Sequence, residues 1–157
     1  MAKTVITISR EFGSGGRTIA KMAAERLGYA FYDKALVERV AKESGYSYDF
    51  VEQHGEDANS TSSFLFNLAR SGSGAYEGMP GISDKLYVIQ HNVIRDIAEE
   101  GPCIIVGHCS DYILGDCENA LHVFIHADKD FKADRIVKLY GESEVAPEKR
   151  LYEKDKK

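Results

Sequence analysis

The stretch Ile6-Thr7-Ile8-Ser9-Arg10-Glu11-Phe12-Gly13-Ser14-Gly15-Gly16-Arg17-Thr18 decides the fold. An apolar, β-branched run passes into a glycine-rich turn, and the turn passes without a spacer into a helix. Glycines give the backbone access to positive φ and let its N–H groups come close to a ligand. The first turn of the helix adds unpaired N–H groups and a positive dipole end. The combination is an anion site, most often one for phosphate. Arg17 and Thr18 stand where a phosphate loop places its Lys and its Mg²⁺-holding hydroxyl. Two positions depart from that motif: Glu11 replaces its first Gly, and Arg17 replaces Lys. A glycine turn that only caps a helix uses the same residues, so the pattern by itself leaves both readings open.

Outward from this stretch the chain alternates strands and helices. Val5 to Ser9 reads as a buried parallel strand. Ile19, Met22, Ala23 and Leu27 recur at helical spacing, and Gly28 ends that helix. Tyr29 to Tyr32 is a short aromatic strand, followed by Asp33, which either caps the next helix or meets a ligand at the strand's carboxyl end. Leu36, Val37, Val40 and Ala41 form the apolar face of the helix that starts near Lys34 and stops near Gly45. Residues 45–81 then change character, rich in Ser, Gly, Asn and Tyr, with one short helix expected near Ser62 to Ala69. An insert of this length is either a binding lid or a solvated loop. Ser83 is placed to cap a helix running to about Glu100, and Cys103 to Gly107 is a clear apolar strand. His108 to Tyr112 follows its carboxyl end, with Asp111 read as a ligand contact or a helix N-cap. Leu121 to Ile125 is a fourth strand, Phe131 to Tyr140 a helix, and 142–157 a polar helix rich in Lys and Arg. That last run reads as a solvated face or as a source of cations over phosphates. The order predicts one α/β domain with a parallel sheet of at least four strands in a three-layer α/β/α arrangement of the P-loop kind.

Composition narrows the function. A chain of 157 residues with 43% hydrophobic and 29% charged residues suits one soluble globular domain. Its formal net charge of −5 argues against a nucleic acid polymer as the main partner. No apolar run is long enough for a signal sequence or a membrane span. Cys103, Cys109 and Cys117 are odd in number and form no C-x-x-C pair, which predicts reduced thiols and a cytoplasmic location. His54 and His91 are isolated from other ligands at metal spacing.

The segment Ile8 to Ala20 resembles the phosphate loop of the cytidylate-kinase-like family. Gly28 with Phe31-Tyr32-Asp33-Lys34 looks like that family's second strand, and Gly107-His108-Cys109-Ser110-Asp111-Tyr112-Ile113-Leu114 resembles its third-strand segment. The resemblance covers nearly the whole chain. It implies a nucleoside monophosphate kinase fold, with ATP and Mg²⁺ as cofactors and CMP or dCMP as acceptor. By that resemblance the backbone of Gly13, Ser14, Gly15, Gly16, Arg17 and Thr18 would cradle the donor phosphates, and Arg17 would bridge the β and γ positions. The Thr18 hydroxyl would reach Mg²⁺. Asp33, His108 and Asp111 would face the acceptor, and Arg135, Lys149 and Arg150 are candidate lid cations. Residues 45–81 become the acceptor-binding lid insert and 142–157 the lid helix. His108 and Cys109 stand where the family commonly has Arg and Asp, which leaves the acceptor open. A nucleotide-binding sensor without transfer, and a P-loop kinase of another small molecule, are the competing readings. The family fold continues into a fifth strand and a final helix, so the chain is expected to be incomplete at its C-terminal end. Small-molecule nucleotides are the expected partners, with no membrane; the sequence leaves the oligomeric state undetermined.

Overall fold

The β-branched run at the N-terminus forms β1 (Val5–Arg10), and every other strand of the sheet is ordered around it. The computed structural model describes residues 4–57, 82–141, 143 and 145–155. These divide into two compact units, residues 1–32 with 101–157, and residues 33–100. The second unit is wider than the 45–81 insert.

The first unit holds a four-stranded parallel sheet in the order β2-β3-β1-β4, where β2 is Ala30–Tyr32, β3 is Cys103–Val106 and β4 is Ala120–Ile125. Val5 sits opposite Cys103 on one side and Ala120 on the other. All four residues of β3 are buried, as the apolar run Cys-Ile-Ile-Val requires of a central strand. On one face, Ile8, Ile104 and Val106 pack against Ala20 and Ala24 of α1 (Gly16–Leu27). Small side chains on that stripe of α1 let the helix lie close to the strands. Buried Thr7 is the polar exception within β1, and its hydroxyl pairs with Nδ1 of its register partner His122 at 2.7 Å. After β3 comes the short α5 (Ser110–Ile113), and after β4 come α6 (Lys129–Tyr140) and α7 (Pro147–Asp155). Ala133, Ile136 and Leu151 join these two helices in a small core that Phe12 enters from the glycine turn.

The second unit is helical: α2 (Lys34–Ser44), α3 (Tyr48–Asp57) and α4 (Ile82–Glu100), each packed on the other two. Among the described residues, Leu36, Val37, Val40, Ala41, Val51, Leu86, Tyr87, Val93, Ile94 and Ile97 are its buried apolar residues. Arg39 reaches from α2 to Glu100 at the end of α4 at 2.6 Å, and also to Glu43 at 3.4 Å.

Several element bounds differ from expectation. β1 extends to Arg10 because β4 continues to pair with it as far as Ile125. β2 starts at Ala30, since the Tyr29 N–H is taken by the Ala24 carbonyl at the end of α1. Ser83 lies inside α4, which already begins at Ile82, so it is not the cap. Asp33 occupies the N-cap position of α2 but makes no capping bond with its side chain. The helix expected near Ser62 to Ala69 lies outside the described residues.

Candidate functional site

The glycine turn between β1 and α1 is built by its own side chains as much as by its glycines. Ser14 is buried; its hydroxyl donates to the Glu11 carbonyl at 2.8 Å and accepts the Gly16 N–H at 3.4 Å. Gly13 and Gly15 have φ of 81° and 86°, and Gly15 is the N-cap of α1. Among the described residues the N–H groups of Gly13, Gly15 and Thr18 have no protein acceptor. Amides held open at a helix start form a concavity that favours an anion.

The loop's glycines are also required by close neighbours. A Cβ on Gly16 would stand 2.5 Å from the Arg10 Cβ, and one on Gly13 would stand 2.9 Å from Ile136 Cγ2. At Gly15 the neighbour is the Arg135 guanidinium, with Cζ 3.3 Å from the Cβ position. Arg135 Nη2 donates to Thr18 Oγ1 at 2.9 Å. Thus Arg135, on α6, is brought to the loop beside Arg17 and Thr18, which are exposed in the first turn of α1.

Glu11, where a phosphate loop ordinarily has glycine, would repel an anion if left alone. Its Oε2 is instead 2.9 Å from the ammonium of Lys132, which also meets Asp155 Oδ2 at 3.0 Å. Hydrogen bonding to Lys132 holds the Glu11 carboxyl below its ordinary range, and the same contact, with help from Asp155, pushes Lys132 up. Asp155 Oδ1 accepts the Phe12 N–H at 2.7 Å. Lys132 and Asp155 therefore tie the turn to α6 and α7. Neither was visible in the sequence, because only the fold brings positions this far apart together; a carboxylate in an anion loop is the one hint that a cation must answer it.

The other expected residues are more scattered. Arg150 Nη1 donates to the Gly141 carbonyl at 3.1 Å, bracing α7 on the end of α6. Lys149 faces Glu153 on its own helix at 4.0 Å. Asp33 belongs to the second unit. His108 and Asp111 follow β3, where Gly107, His108 and Cys109 have φ of 71°, 58° and 52° in succession. Left-handed backbone at non-glycine residues is costly and concentrates at functional sites. Burial, and then the nearby Asp111 carboxylate, push the Cys109 thiol up, which keeps it protonated and a poor nucleophile. Arg10, not singled out by its sequence context, ends β1 with its stem on Gly16 and its guanidinium at Gly107.

ATP phosphates fit this donor set: open amides, a glycine turn packed close against Arg10, Ile136 and Arg135, and arginines at its rim. Mg²⁺ carried by a nucleotide needs only one or two protein ligands. Thr18 Oγ1, although it accepts from Arg135, keeps a second lone pair for that purpose. Among the described residues no group of three or more His, Cys, Asp or Glu is arranged to hold a metal on its own, and no helix is long and apolar enough to cross a membrane.

Known structures share this architecture. An uncharacterized protein from Eubacterium ventriosum is 28% identical, with 98% of this chain and 70% of that chain covered at a TM-score of 0.62. Shikimate kinase from Bacteroides thetaiotaomicron is 16% identical over 96% of this chain and 75% of its own, at a TM-score of 0.53. Shikimate kinase from Acinetobacter baumannii, solved with shikimate, is 12% identical over 96% and 73%, at 0.50. At those identities the two enzymes show the fold alone, which is that of P-loop kinases. No curated protein gave a significant sequence match. The model of the cytidylate kinase-like family matches residues 5–157, nearly all of the sequence, and the chain belongs to that family.

Proposed function

We propose that this chain transfers the terminal phosphoryl group of ATP to a nucleoside monophosphate, with CMP or dCMP as the first acceptors to test. Family and fold support a kinase-type phosphotransferase. The observation that carries the finer reading is the loop itself: open amides of Gly13, Gly15 and Thr18, with Arg17 in the first turn of α1 and Arg135 against Gly15 and Thr18. Phosphoryl transfer asks a protein for alignment and for charge neutralisation rather than for a covalent step. Loop amides would hold the donor's phosphates. Arg17, a planar fork in place of the usual ammonium, would lie along the β and γ oxygens. Arg135, fixed on Thr18, would add a cation from the α6 side, where the moving group gains charge. Thr18 would ligate Mg²⁺, which neutralises phosphate charge when bound. Asp33, His108 and Asp111 are proposed acceptor contacts, on the strength of their places after β2 and β3. The Arg150 contact with Gly141 supports a bracing role, so the proposed cations over the donor are Arg17 and Arg135.

A coupled assay with ATP and a panel of nucleoside monophosphates tests the proposal. The expected result is turnover with at least one pyrimidine monophosphate. ATP binding with no transfer to any member would leave a nucleotide-binding protein of another class.

A further inference from the structure

Arg10 is the one arginine at the loop that the donor side does not use. Its Cβ and Cγ lie against Gly16, where an added Cβ would meet them at 2.5 and 3.0 Å. Its guanidinium points toward β3, with Nη1 2.6 Å and Cζ 3.5 Å from the Cβ position of Gly107. Arg10 thus lies across the carboxyl ends of the adjacent strands β1 and β3. Chain connections leave those two strands in opposite directions, β1 toward β2 and β3 toward β4. Ligands of open parallel sheets bind in the crevice outside such a pair.

Charge at this spot is unanswered. Arg10 is exposed, and among the described residues its side chain makes no ion pair or hydrogen bond. The adjacent carboxylate, Glu11, is engaged by Lys132. Gly107-His108-Cys109 brings no permanent cation of its own. Arg135 approaches the loop from α6, which follows β4, on the other side of β1. The Arg10 guanidinium thus meets Gly107, and that of Arg135 meets Gly15 and Thr18.

We propose that Arg10 is the clamp for the acceptor's phosphate. This rests on the phosphotransferase reading above. A guanidinium held by its stem presents a fork that matches two phosphate oxygens. Placed on the β3 side, it brings the incoming dianion toward the donor's terminal phosphorus while Arg17 and Arg135 neutralise the donor. Glycine at 107 fits the same role: it leaves room for the guanidinium, whose Nη1 lies 2.6 Å from where a Cβ would stand, and its φ of 71° already disfavours a side chain.

The test compares wild type with Arg10→Ala and Arg10→Lys. CMP and inorganic phosphate are each titrated calorimetrically into protein saturated with the non-hydrolysable AMP-PNP, and AMP-PNP is titrated separately. Arg10→Ala is expected to weaken CMP and phosphate roughly 10–100-fold, the loss of a charge-assisted hydrogen bond. AMP-PNP affinity and the melting temperature should change little, and Arg10→Lys should recover part of the loss. In the coupled assay the defect should appear in the acceptor KM more than in kcat. Unchanged CMP and phosphate affinity in Arg10→Ala overturns the clamp, and so does an equal loss for AMP-PNP, which would assign Arg10 to the donor. Phosphate binding that depends on Arg10, with no transfer to any monophosphate, would keep the anion clamp and refute the kinase reading instead.

Discussion

Gly16 shows how a single position carries both fold and site. It opens α1, where alanine would ordinarily be favoured by about 1 kcal/mol. Yet its Cβ would stand 2.5 Å from the Arg10 Cβ, an atom that no side-chain rotation can move away. Overpacking of this kind costs about 1–3 kcal/mol, so the clash outweighs the propensity gain. Gly16→Ala should lower the melting temperature and abolish tight ATP binding as the loop is pushed off Arg10. The double variant Arg10→Gly with Gly16→Ala should recover stability but not acceptor binding, and a thermal melt of all three proteins checks the coupling. An additive double mutant would mean that the two residues do not press on each other. The glycines were legible in the sequence because their spacing is local. The reason for Gly16 was not, since it lies in a side chain six positions earlier whose direction only the finished strand fixes.

At the level of elements, the four strands and the helices around them could be read from periodicity, because each buries an apolar face built from neighbouring residues. Boundaries shifted by a residue where a partner strand or a helix end competes for the same backbone groups, as at Arg10 and Tyr29. Helix α3 was overlooked within a polar, glycine-containing stretch. The signal was present: the Ser47 hydroxyl accepts the Phe50 N–H at 3.3 Å, an N-terminal cap, and Tyr46 packs on Phe50. What no local pattern could supply is the link among the turn, α6 and α7 through Glu11, Lys132 and Asp155. That link makes stability depend on pH at both ends. Glu11 titrates lower in the folded chain than unfolded, so its contribution is complete above the ordinary carboxylate value of about 4.3 and is lost as pH falls through the folded value. Lys132 titrates higher when folded, so its contribution is complete below about 10.4 and is lost as pH rises through the folded value. The melting temperature should therefore fall on the acid side less steeply in Glu11→Gln than in wild type, and on the alkaline side less steeply in Lys132→Met. Parallel acid limbs for wild type and Glu11→Gln would show that the contact contributes nothing to folding.

For the molecule as a whole, the formal charge of −5 and the chemistry of the loop pull in opposite directions. A nucleotide polyphosphate approaching an acidic protein is repelled at long range. That repulsion acts through water, and charges beyond about 8 Å are largely screened at physiological ionic strength. Contacts at the loop are of another order: about 1 kcal/mol for each cation–phosphate pair at 4 Å in bulk water, and more where the site is less hydrated. Arg17 and Arg135 are supplied by α1 and α6, separated in sequence and joined only by the fold, so total charge gave no sign of them. Local attraction should win, and ATP affinity should fall as KCl is raised from low to high concentration. Were long-range repulsion dominant, screening would make affinity rise instead. Arg17→Ala should weaken ATP binding and also flatten its dependence on salt, because one exposed contact that salt competes for is gone. The fold should be intact, since Arg17 is exposed and takes no part in the apolar core. Loss of an organised charge of this kind in transfer itself corresponds to about 2–4 kcal/mol of transition-state stabilisation. Titrations of both proteins across the salt series decide the matter. Identical slopes would place Arg17 outside the phosphate contacts and leave the open amides and Arg135 as the whole of the anion site.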